Sequence, residues 1–519
     1  MKLTGFLFAA ALLGACTQPA AEENYTRHVD PKIGTGGHGH VFVGANVPFG
    51  LVQVGPTSIP QTWDWCSGYH ASDSTVIGFS HTHLSGTGIG DLFDVTVMPV
   101  TGEVTYARGT EDDPTSGLWS YADRTQEIAR PGYYSVPLTR YGIRAELTAT
   151  ARVGLHRYTF PASDAAAVVF DLENGGCWDK ATETHLAKEG DRTVTGWRHS
   201  TGWAKDQRVY FAAEFSKPFE KFETIGDNYA RASFRTTDGE QVSLKVALSP
   251  VSVEGARENL AAELPGWDFE ETAKAADKAW NDELSKVKIE TEDETSKRIF
   301  YTALYHTMVA PSLFCDVNGD YYGSDHAIHR NADFTNYTTF SLWDTYRAAM
   351  PLMTVLHPEK MADIVQTMLT ISDEQGRLPV WHLWGNETDC MVGNPGIVAV
   401  ADAIVKGIGG FDREKAFETI RKTAMNPDRG NGLRMEYGYI PCEMFNEAVA
   451  YDMEYALADG AAARAAETLG KAEDAKYFEE RSHSYRNYFD PATRFMRGRD
   501  SKKGWRTPFN AFASTHRAD

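Results

Sequence analysis

The sequence predicts a multidomain β + α protein in which a β-sandwich precedes a helical domain. Short apolar or alternating runs, separated by Gly, Asp and Pro, fill the chain from about residue 29 to 253. No helical periodicity interrupts these runs, which disfavours a parallel sheet with crossover helices. From Asp268 onward, amphipathic segments alternate with loops, as in helical hairpins wound into a toroid.

The strands of the first domain are predicted at 41–43, 51–54, 94–98, 134–138, 145–149, 167–170 and 242–246. A connecting helix is predicted over 269–287. Further helices are predicted near 295–310, 344–356, 359–372, 396–408, 412–424, 446–468 and 472–488. Within the segment 446–468, we expect Val449, Met453, Ala456 and Gly460 to form one apolar stripe. The predicted organisation is 1–15 leader, 28–265 β-sandwich, 266–290 linker helix and 291–519 helical domain.

The composition argues for a neutral ligand. The 519 residues include 71 acidic and 51 basic side chains, for a net charge of −20. A field of that sign repels phosphate, so nucleic acid and anionic membrane surfaces are excluded as partners. Aromatic residues make up 12% of the chain, which suits stacking on sugar faces as well as a large core.

The N-terminus is typical of an exported protein. Lys2 precedes a short apolar run that ends in Leu13-Gly14-Ala15-Cys16, and the run is too short to span a bilayer. The pattern resembles a bacterial lipobox, which predicts a lipid on Cys16 and, because Thr17 follows, an outer-membrane lipoprotein in the periplasm or at the cell surface. The alternative is an ordinary cleaved signal with an incidental cysteine.

The remaining cysteines are few and widely spaced. They are Cys66, Cys177, Cys315, Cys390 and Cys442, without any Cys-x-x-Cys pair. An odd number cannot pair completely in an oxidising compartment, so at least one thiol is free. We therefore expect buried thiols and no disulfide framework.

A histidine-rich segment near residue 80 raises the question of a metal. His81 and His83 would lie on one face of a strand and, with His70 or Asp91, could bind zinc. The favoured interpretation is that these histidines bond to the backbone or line a polar pocket, because no third ligand stands at a diagnostic spacing.

Two other loops combine tryptophans with carboxylates. In the first, Ser341 is expected to cap a helix that carries Asp344 in its first turn, beside Trp343 as a stacking platform. The second, residues 379–391, contains two tryptophans, Glu387 and Asp389. Glycoside hydrolysis requires two carboxylates that flank the bond. Spacing alone does not choose among the candidate carboxylates Asp344, Glu387, Asp389, Glu443 and Glu447.

Several motifs resemble glycoside hydrolase family 92, from about residue 28 to the C-terminus. They are KIGTGGHGH at 32–40, VPFG at 47–50, GFSHTHLSGTG at 78–88, LWDTYR at 342–347 and GNET at 385–388. The resemblance implies a β-sandwich on an (α/α)6 toroid and inverting, calcium-dependent release of mannose from the non-reducing ends of glycans. It implies that Asp344 grips the terminal mannose beside Trp343, and that Asn386 and Glu387 line the same pocket. Trp65 resembles the variant in members that cleave α-1,2 linkages, where it packs against the leaving sugar.

The sequence departs from the family in two places. The helix at 447–454 usually carries Ser-x-Ser and Thr-Leu, whereas Ala448, Ala450, Asp452 and Met453 occupy those positions here. The family's general acid and base belong to Gly-Asn-Ala-Trp and Gly-Asn-Asp-Asp segments, which we expect beyond Asp519 together with most calcium ligands. The sequence therefore predicts an incomplete toroid and an inactive fragment, with no catalytic residue in this chain and no assigned metal ligand.

Two alternatives to an exo-α-mannosidase stay open. A non-catalytic glycan-binding lipoprotein would retain the sugar-gripping residues without an acid or base. A six-hairpin hydrolase or phosphorylase of other specificity would share the toroid.

Overall fold

A computed structural model describes residues 23–113 and 115–513. The predicted leader and Cys16 lie outside the described residues. No helix within these ranges combines the length and the apolar character that crossing a membrane requires.

The first domain is built from two sheets whose neighbouring strands all pair antiparallel. The six-stranded sheet runs, in spatial order, through Gly55–Thr57, Gly78–Ser80, Thr96–Thr101, Ser163–Asp171, Tyr229–Thr236 and Lys221–Ile225. The eight-stranded sheet runs through Lys180–Glu189, Thr193–Thr201, Gln207–Phe215, Glu240–Ser249, Val153–Phe160, Ile143–Ala149, Tyr133–Leu138 and Ile128–Arg130. The apolar faces of both sheets share one buried core, which confirms the predicted sandwich.

Two of the predicted strands, 41–43 and 51–54, are buried but irregular, and a single bridge joins Ala45 to Val54. The two segments can lie this close together because residue 44 is glycine: a Cβ atom there would lie 2.3 Å from the carbonyl oxygen of Val54. The apolar run therefore fills the core without forming a regular ladder.

Two helices follow the sandwich. Helix α1, Val253–Glu263, packs on the outer face of the eight-stranded sheet and was not predicted from the apolar pattern. Its signal is local: the Ser252 side chain accepts a hydrogen bond from the N–H of Gly255 at 3.0 Å. Helix α2, Phe269–Leu284, forms within the predicted linker and is capped by Asp268.

The second domain is helical. Its helices are α3 Glu294–His306, α4 Leu342–Thr345, α5 Ala349–Leu356, α6 Pro358–Gln375, α7 Pro395–Val405, α8 Arg413–Ala424, α9 Asn431–Tyr437, α10 Ala448–Thr468 and α11 Ala472–Arg481. Apart from α9, these helices share a second core with α2, in which Met361, Ile404 and Phe417 are buried. All seven segments predicted as helices of this domain contain a helix. The short α9 lies in a segment that was expected to be a loop.

Short elements complete the fold. They are the 3-10 turns Tyr25–His28, Trp63–Trp65 and Ser484–Asn487, and the paired strands Thr75–Val76 with Ser120–Tyr121, Ser312–Leu313 with Tyr337–Thr338, Tyr321–Tyr322 with Ile328–His329, and Phe489–Asp490 with Phe495–Met496. A three-stranded sheet, Phe340–Ser341, Trp381–Leu383 and Asn386–Glu387, connects two long loops of the helical domain.

The apolar stripe predicted on α10 is confirmed at Val449 and Ala456, which are buried, and wrong at Met453. Met453 is 38% exposed, whereas Asp452 and Asp459 are buried. The Arg434 guanidinium donates to both carboxylates at 2.6 Å, so charge pairing allows two acids to face the interior. The departure from the family pattern at position 452 is thus part of a buried ion network.

Candidate functional site

The three-stranded sheet brings together the two tryptophan-rich loops. Ser341 pairs with Trp381, and His382 pairs with Glu387. Helix α4 starts directly after Ser341, so Trp343 and Asp344 follow an edge of this sheet. The third strand is the pair Asn386–Glu387 itself. Four of the five predicted sugar-binding residues therefore belong to one small structural unit.

Asp344 is exposed and lies in the first turn of α4, as predicted. Its Oδ2 atom accepts a hydrogen bond from the Ser341 hydroxyl at 2.6 Å. Ser341 makes no side-chain hydrogen bond to the helix backbone, so it does not cap α4 as predicted. Its hydroxyl binds the Asp344 carboxylate instead. The result is a carboxylate that is oriented and still open to solvent.

Trp343 is half-buried beside Asp344. Its Nε1 atom is buried and has no hydrogen-bond partner among the described residues. The Arg347 guanidinium lies over the Trp343 ring, 5.0 Å from its centroid. The indole N–H is thus an unsatisfied donor inside the protein, and the exposed Asp344 carboxylate is the group that a ligand can reach.

Glu454 on α10 anchors the segment that carries Asp344, a contact that sequence reasoning missed. Its two carboxylate oxygens accept hydrogen bonds from the Tyr346 hydroxyl at 2.8 Å and from the Arg347 guanidinium at 2.7 Å. Burial, followed by the bond to Glu454, raises the pKa of Tyr346. A carboxylate on one helix that bonds to the residues just after another helix leaves no mark in the sequence, because the two segments are more than a hundred residues apart.

The Glu387 carboxylate is held by the main chain. It accepts hydrogen bonds from the backbone N–H groups of Val380 at 2.8 Å, Trp381 at 2.9 Å and Asp389 at 3.0 Å. Burial raises the pKa of the neighbouring Cys390 thiol, and the charges of Asp344 and Glu387 also raise it. The main chain of its own loop therefore fixes the Glu387 carboxylate in place.

Asn386 connects the two domains. Its Oδ1 atom accepts from the backbone N–H of Asp206 at 3.0 Å, and its Nδ2 atom donates to the carbonyl oxygens of Asp206 at 2.9 Å and Trp384 at 2.8 Å. Nearby, the rings of Trp203 and Trp381 meet edge to face with centroids 4.6 Å apart. The site unit is therefore fastened to the sandwich through backbone atoms.

The two tryptophans of residues 379–391 belong to the core. Trp381 and Trp384 are each 2% exposed. They explain the aromatic richness of residues 379–391 by packing between the domains, and they present no ring face to solvent.

Trp65 lies in the sandwich, in the 3-10 turn Trp63–Trp65. Its Nε1 atom donates to Asp73 at 2.7 Å, and its ring stacks on His70 with centroids 4.4 Å apart. These contacts orient a half-buried indole, but they are with residues of its own domain. The described contacts do not join Trp65 directly to Asp344.

The other candidate carboxylates have structural partners. Asp389 pairs with Arg377 and lies 3.5 Å from Arg429. Glu443 accepts from the backbone N–H of Ser501 at 2.8 Å. Glu447 precedes α10 with a φ of 55° and also takes part in an interaction.

The histidines proposed as zinc ligands face different partners, so that alternative is wrong. His81 bonds to the carbonyl oxygen of Val95 at 2.6 Å and to His156 at 2.9 Å. His83 donates from Nδ1 to the carbonyl oxygen of Gln53 at 2.8 Å. Burial lowers the pKa of His81 to about 4 and that of His83 to about 3, so both rings are neutral and structural.

Among residues 23–113 and 115–513, one group of side chains has a geometry that could hold a metal ion, namely Asp325, His329 and Glu374. The His329 Nε2 atom lies 3.1 Å from Asp325 and 3.4 Å from Glu374. Calcium prefers six to eight oxygen ligands, and an imidazole does not fit that set. This group therefore does not match the calcium that the family resemblance implies, and no calcium ligand is assigned.

Comparison with models of known protein families identifies the family of this chain. A model described as the glycosyl hydrolase family 92 N-terminal domain matches residues 28–249, and the catalytic-domain model of the same family matches residues 255–519. The chain belongs to glycoside hydrolase family 92. The resemblance expected from the motifs is thereby confirmed.

Solved family 92 structures share the fold. An α-mannosidase of this family from Bacteroides thetaiotaomicron, in complex with mannoimidazole, is 40% identical with a TM-score of 0.91, covering 94% of this chain and 67% of that one. A family 92 inverting mannosidase from the same organism is 29% identical with a TM-score of 0.84, covering 95% of this chain and 69% of that one. These likenesses confirm the predicted order of a β-sandwich followed by an α/α toroid.

A curated relative from Arthroderma benhamiae is described as an uncharacterized secreted glycosidase. It is 26% identical over 538 aligned positions, covering 92% of this chain. The chain spans 64% of the length of that relative.

Proposed function

We propose that this family 92 protein is an exo-acting, inverting α-mannosidase that releases mannose from the non-reducing ends of glycans, with α-1,2 linkages as its substrate. The observation that carries the proposal is the exposed Asp344 carboxylate. It is oriented by Ser341 and follows the half-buried Trp343 in the first turn of α4. The 40% identical relative that was solved with mannoimidazole supports mannose as the sugar.

Asp344 is proposed to accept hydrogen bonds from two neighbouring hydroxyls of the terminal mannose. A carboxylate binds such donors strongly because the hydrogen bonds are charge-assisted. Trp343 adds an apolar surface beside the carboxylate. An aromatic platform next to an acceptor pair suits a neutral sugar better than a charged ligand.

Asn386 and Glu387 are proposed to line the same pocket and to fix its shape. Their polar atoms are engaged by backbone groups, so they hold the loop against the sandwich while Asp344 takes the hydroxyls. Trp65 is proposed to pack against the leaving sugar, which would favour the α-1,2 linkage.

No residue of this chain is assigned as general acid or base. Calcium dependence is proposed from the family alone, and no step of the binding described above passes through the ion.

Hydrolysis of α-1,2-mannobiose tests the proposal. In a form of the protein that includes the family's acid- and base-bearing segments, we expect release of free mannose and its loss in EDTA, with recovery on addition of calcium. Release that EDTA leaves unchanged would contradict the calcium requirement. Mannose binding measured by calorimetry without turnover would favour the glycan-binding alternative. Formation of mannose 1-phosphate only when phosphate is present would favour a phosphorylase.

Export and lipid attachment at Cys16 are proposed as well. The secreted description of the fungal relative supports export. Cell fractionation should find the protein in the outer-membrane fraction. The Cys16→Ala variant should be absent from that fraction. An unchanged distribution of the variant would contradict a lipid anchor.

A further inference from the structure

A short turn and a distant loop of the sandwich meet at two cysteines. Cys66 ends the turn Trp63–Trp65, where its N–H donates to the carbonyl oxygen of Trp63 at 3.2 Å, and its side chain is fully buried. The Sγ atom of Cys177 is 4.0 Å from the carbonyl oxygen of Thr62, the residue that begins the same turn. Because Cys66 directly follows this turn, the Cys177 thiol packs against the segment that carries the Cys66 thiol.

The surrounding backbone fixes this approach. A Cβ atom on Gly90 would lie 2.6 Å from the Cβ of Cys177, so glycine at position 90 lets the loop of Cys177 pack closely against residue 90. Asp179, two residues beyond Cys177, is tied by its carboxylate to the buried Arg198 at 2.5 Å. Arg198 also donates to Asp94 at 2.7 Å, so the loop of Cys177 rests on a buried ion network.

The other described cysteines lie elsewhere. Cys390 and Cys442 belong to the helical domain, and Cys315 lies between α3 and α4, where its thiol faces the guanidinium of Arg152 at 3.7 Å. Cys66 and Cys177 are therefore each other's natural partners, and Cys315, Cys390 and Cys442 are thiols in the structure.

We propose that Cys66 and Cys177 form a disulfide bond when the protein meets a disulfide-carrying oxidant. The half-exposed Cys177 thiolate attacks the oxidant's disulfide and releases one thiolate from it. Cys66 then attacks the Sγ atom of Cys177 in the mixed disulfide and releases the second. The two cysteines lose two protons and two electrons, and the oxidant is reduced to two thiols.

The acid–base properties of the pair favour this order. The hydrogen bond from Cys66 lowers the pKa of the Cys177 thiol, which favours its thiolate as the first nucleophile.

The bond would anchor Trp65, the residue that precedes Cys66. It would join the turn to a loop that is already fixed by Arg198, so the indole could not swing away from Asp73 and His70. The importance of this anchoring for sugar binding rests on the proposed function, whereas the bond itself does not.

Peptide mapping of the full chain under non-reducing conditions tests the bond. After incubation with oxidised glutathione, we expect the peptides that contain Cys66 and Cys177 to appear as one species, about 2 Da lighter than their sum because two hydrogen atoms have left. Dithiothreitol should separate them. Full alkylation of both cysteines after oxidation, or a persistent glutathione adduct on Cys177, would overturn the proposal.

Hydrogen exchange tests the anchoring without any reference to catalysis. In the oxidised protein, residues 62–70 should exchange more slowly than in the Cys177→Ser variant, and dithiothreitol should remove the difference. Cys442→Ser, which changes another half-exposed cysteine, should behave as the wild type does. Equal exchange in the oxidised wild type and in Cys177→Ser would show that the turn is held without the bond.

Discussion

Arg434 donates from Nε to the Asp452 Oδ1 atom at 2.6 Å, and both side chains are buried. The same guanidinium donates from Nη1 to Asp459, also at 2.6 Å. A buried cation thus binds α10 to the short helix α9. Removal of the cation would take the paired charge from the buried Asp452, whereas Asp459 would keep the Arg481 guanidinium at 3.1 Å.

Arg434→Ala should therefore lower the free energy of unfolding by about 3–5 kcal/mol, because breaking a buried ion pair leaves a buried charge without compensation. Urea unfolding measures the change. Arg464→Ala is the matched control, since Arg464 pairs with Glu467 and Glu479 while 55% exposed, and it should cost less than about 1 kcal/mol. Equal losses in the two variants would show that Arg434 contributes no more than a surface arginine.

Asp344→Asn should weaken mannose binding by about 10- to 100-fold, because the amide loses charge-assisted acceptance from the sugar hydroxyls. Calorimetry with mannose measures the affinity. Asp373→Asn removes an exposed acid that pairs with Lys415 and should leave the affinity unchanged. An unaltered affinity in Asp344→Asn would remove Asp344 from the proposed site.

Trp65→Ala should weaken binding of α-1,2-mannobiose more than binding of mannose, since the indole is proposed to contact the second sugar. The ratio of the two affinities separates this effect from general damage to the fold. Trp197→Ala serves as the control, because Trp197 stacks on His185 on the outer face of the sandwich. Equal weakening for both sugars would contradict a role in linkage preference.

His83 should make the protein less stable in acid. Burial lowers its pKa to about 3 in the folded state, whereas an unfolded histidine titrates near 6.5, so the unfolded chain takes up the proton first. Stability is therefore lost as the pH falls from about 6.5 towards 3, and this residue alone accounts for about 2 kcal/mol between pH 7 and pH 5.

The His83→Asn variant tests this assignment, because an amide can still donate to the carbonyl oxygen of Gln53. The difference in its free energy of unfolding between pH 7 and pH 5 should shrink by about 2 kcal/mol. Urea titrations at the two pH values measure it. The same pH dependence in the variant and in the wild type would show that other groups take up the protons.

The sequence predicted the sandwich and most helices because period-2 and period-3.6 apolar patterns reflect burial of one face. It also placed Asp344 correctly in a first helical turn, from the spacing to Ser341. The pattern failed on α10, where Met453 is exposed and Asp452 is buried. A buried acid cannot be recognised without its partner, and Arg434 lies on a different helix.

The contacts that assemble the site were also out of reach of sequence reasoning. Asn386 bonds to backbone atoms of Asp206, which any residue other than proline would supply. Glu454 reaches Tyr346 across more than a hundred residues. Contacts of this kind depend on where the domains and helices meet in space. The apolar periodicity of one segment does not indicate which distant segment it will contact.

The contact between Asn386 and Asp206 constrains the two partners unequally over evolutionary time. Only the peptide group at position 206 takes part in it, so that contact tolerates almost any side chain there. Position 386 must present an acceptor and a donor at one fixed separation, which few side chains can do. Sequence drift is thus expected to accumulate on the sandwich side of the joint while the helical side stays an amide.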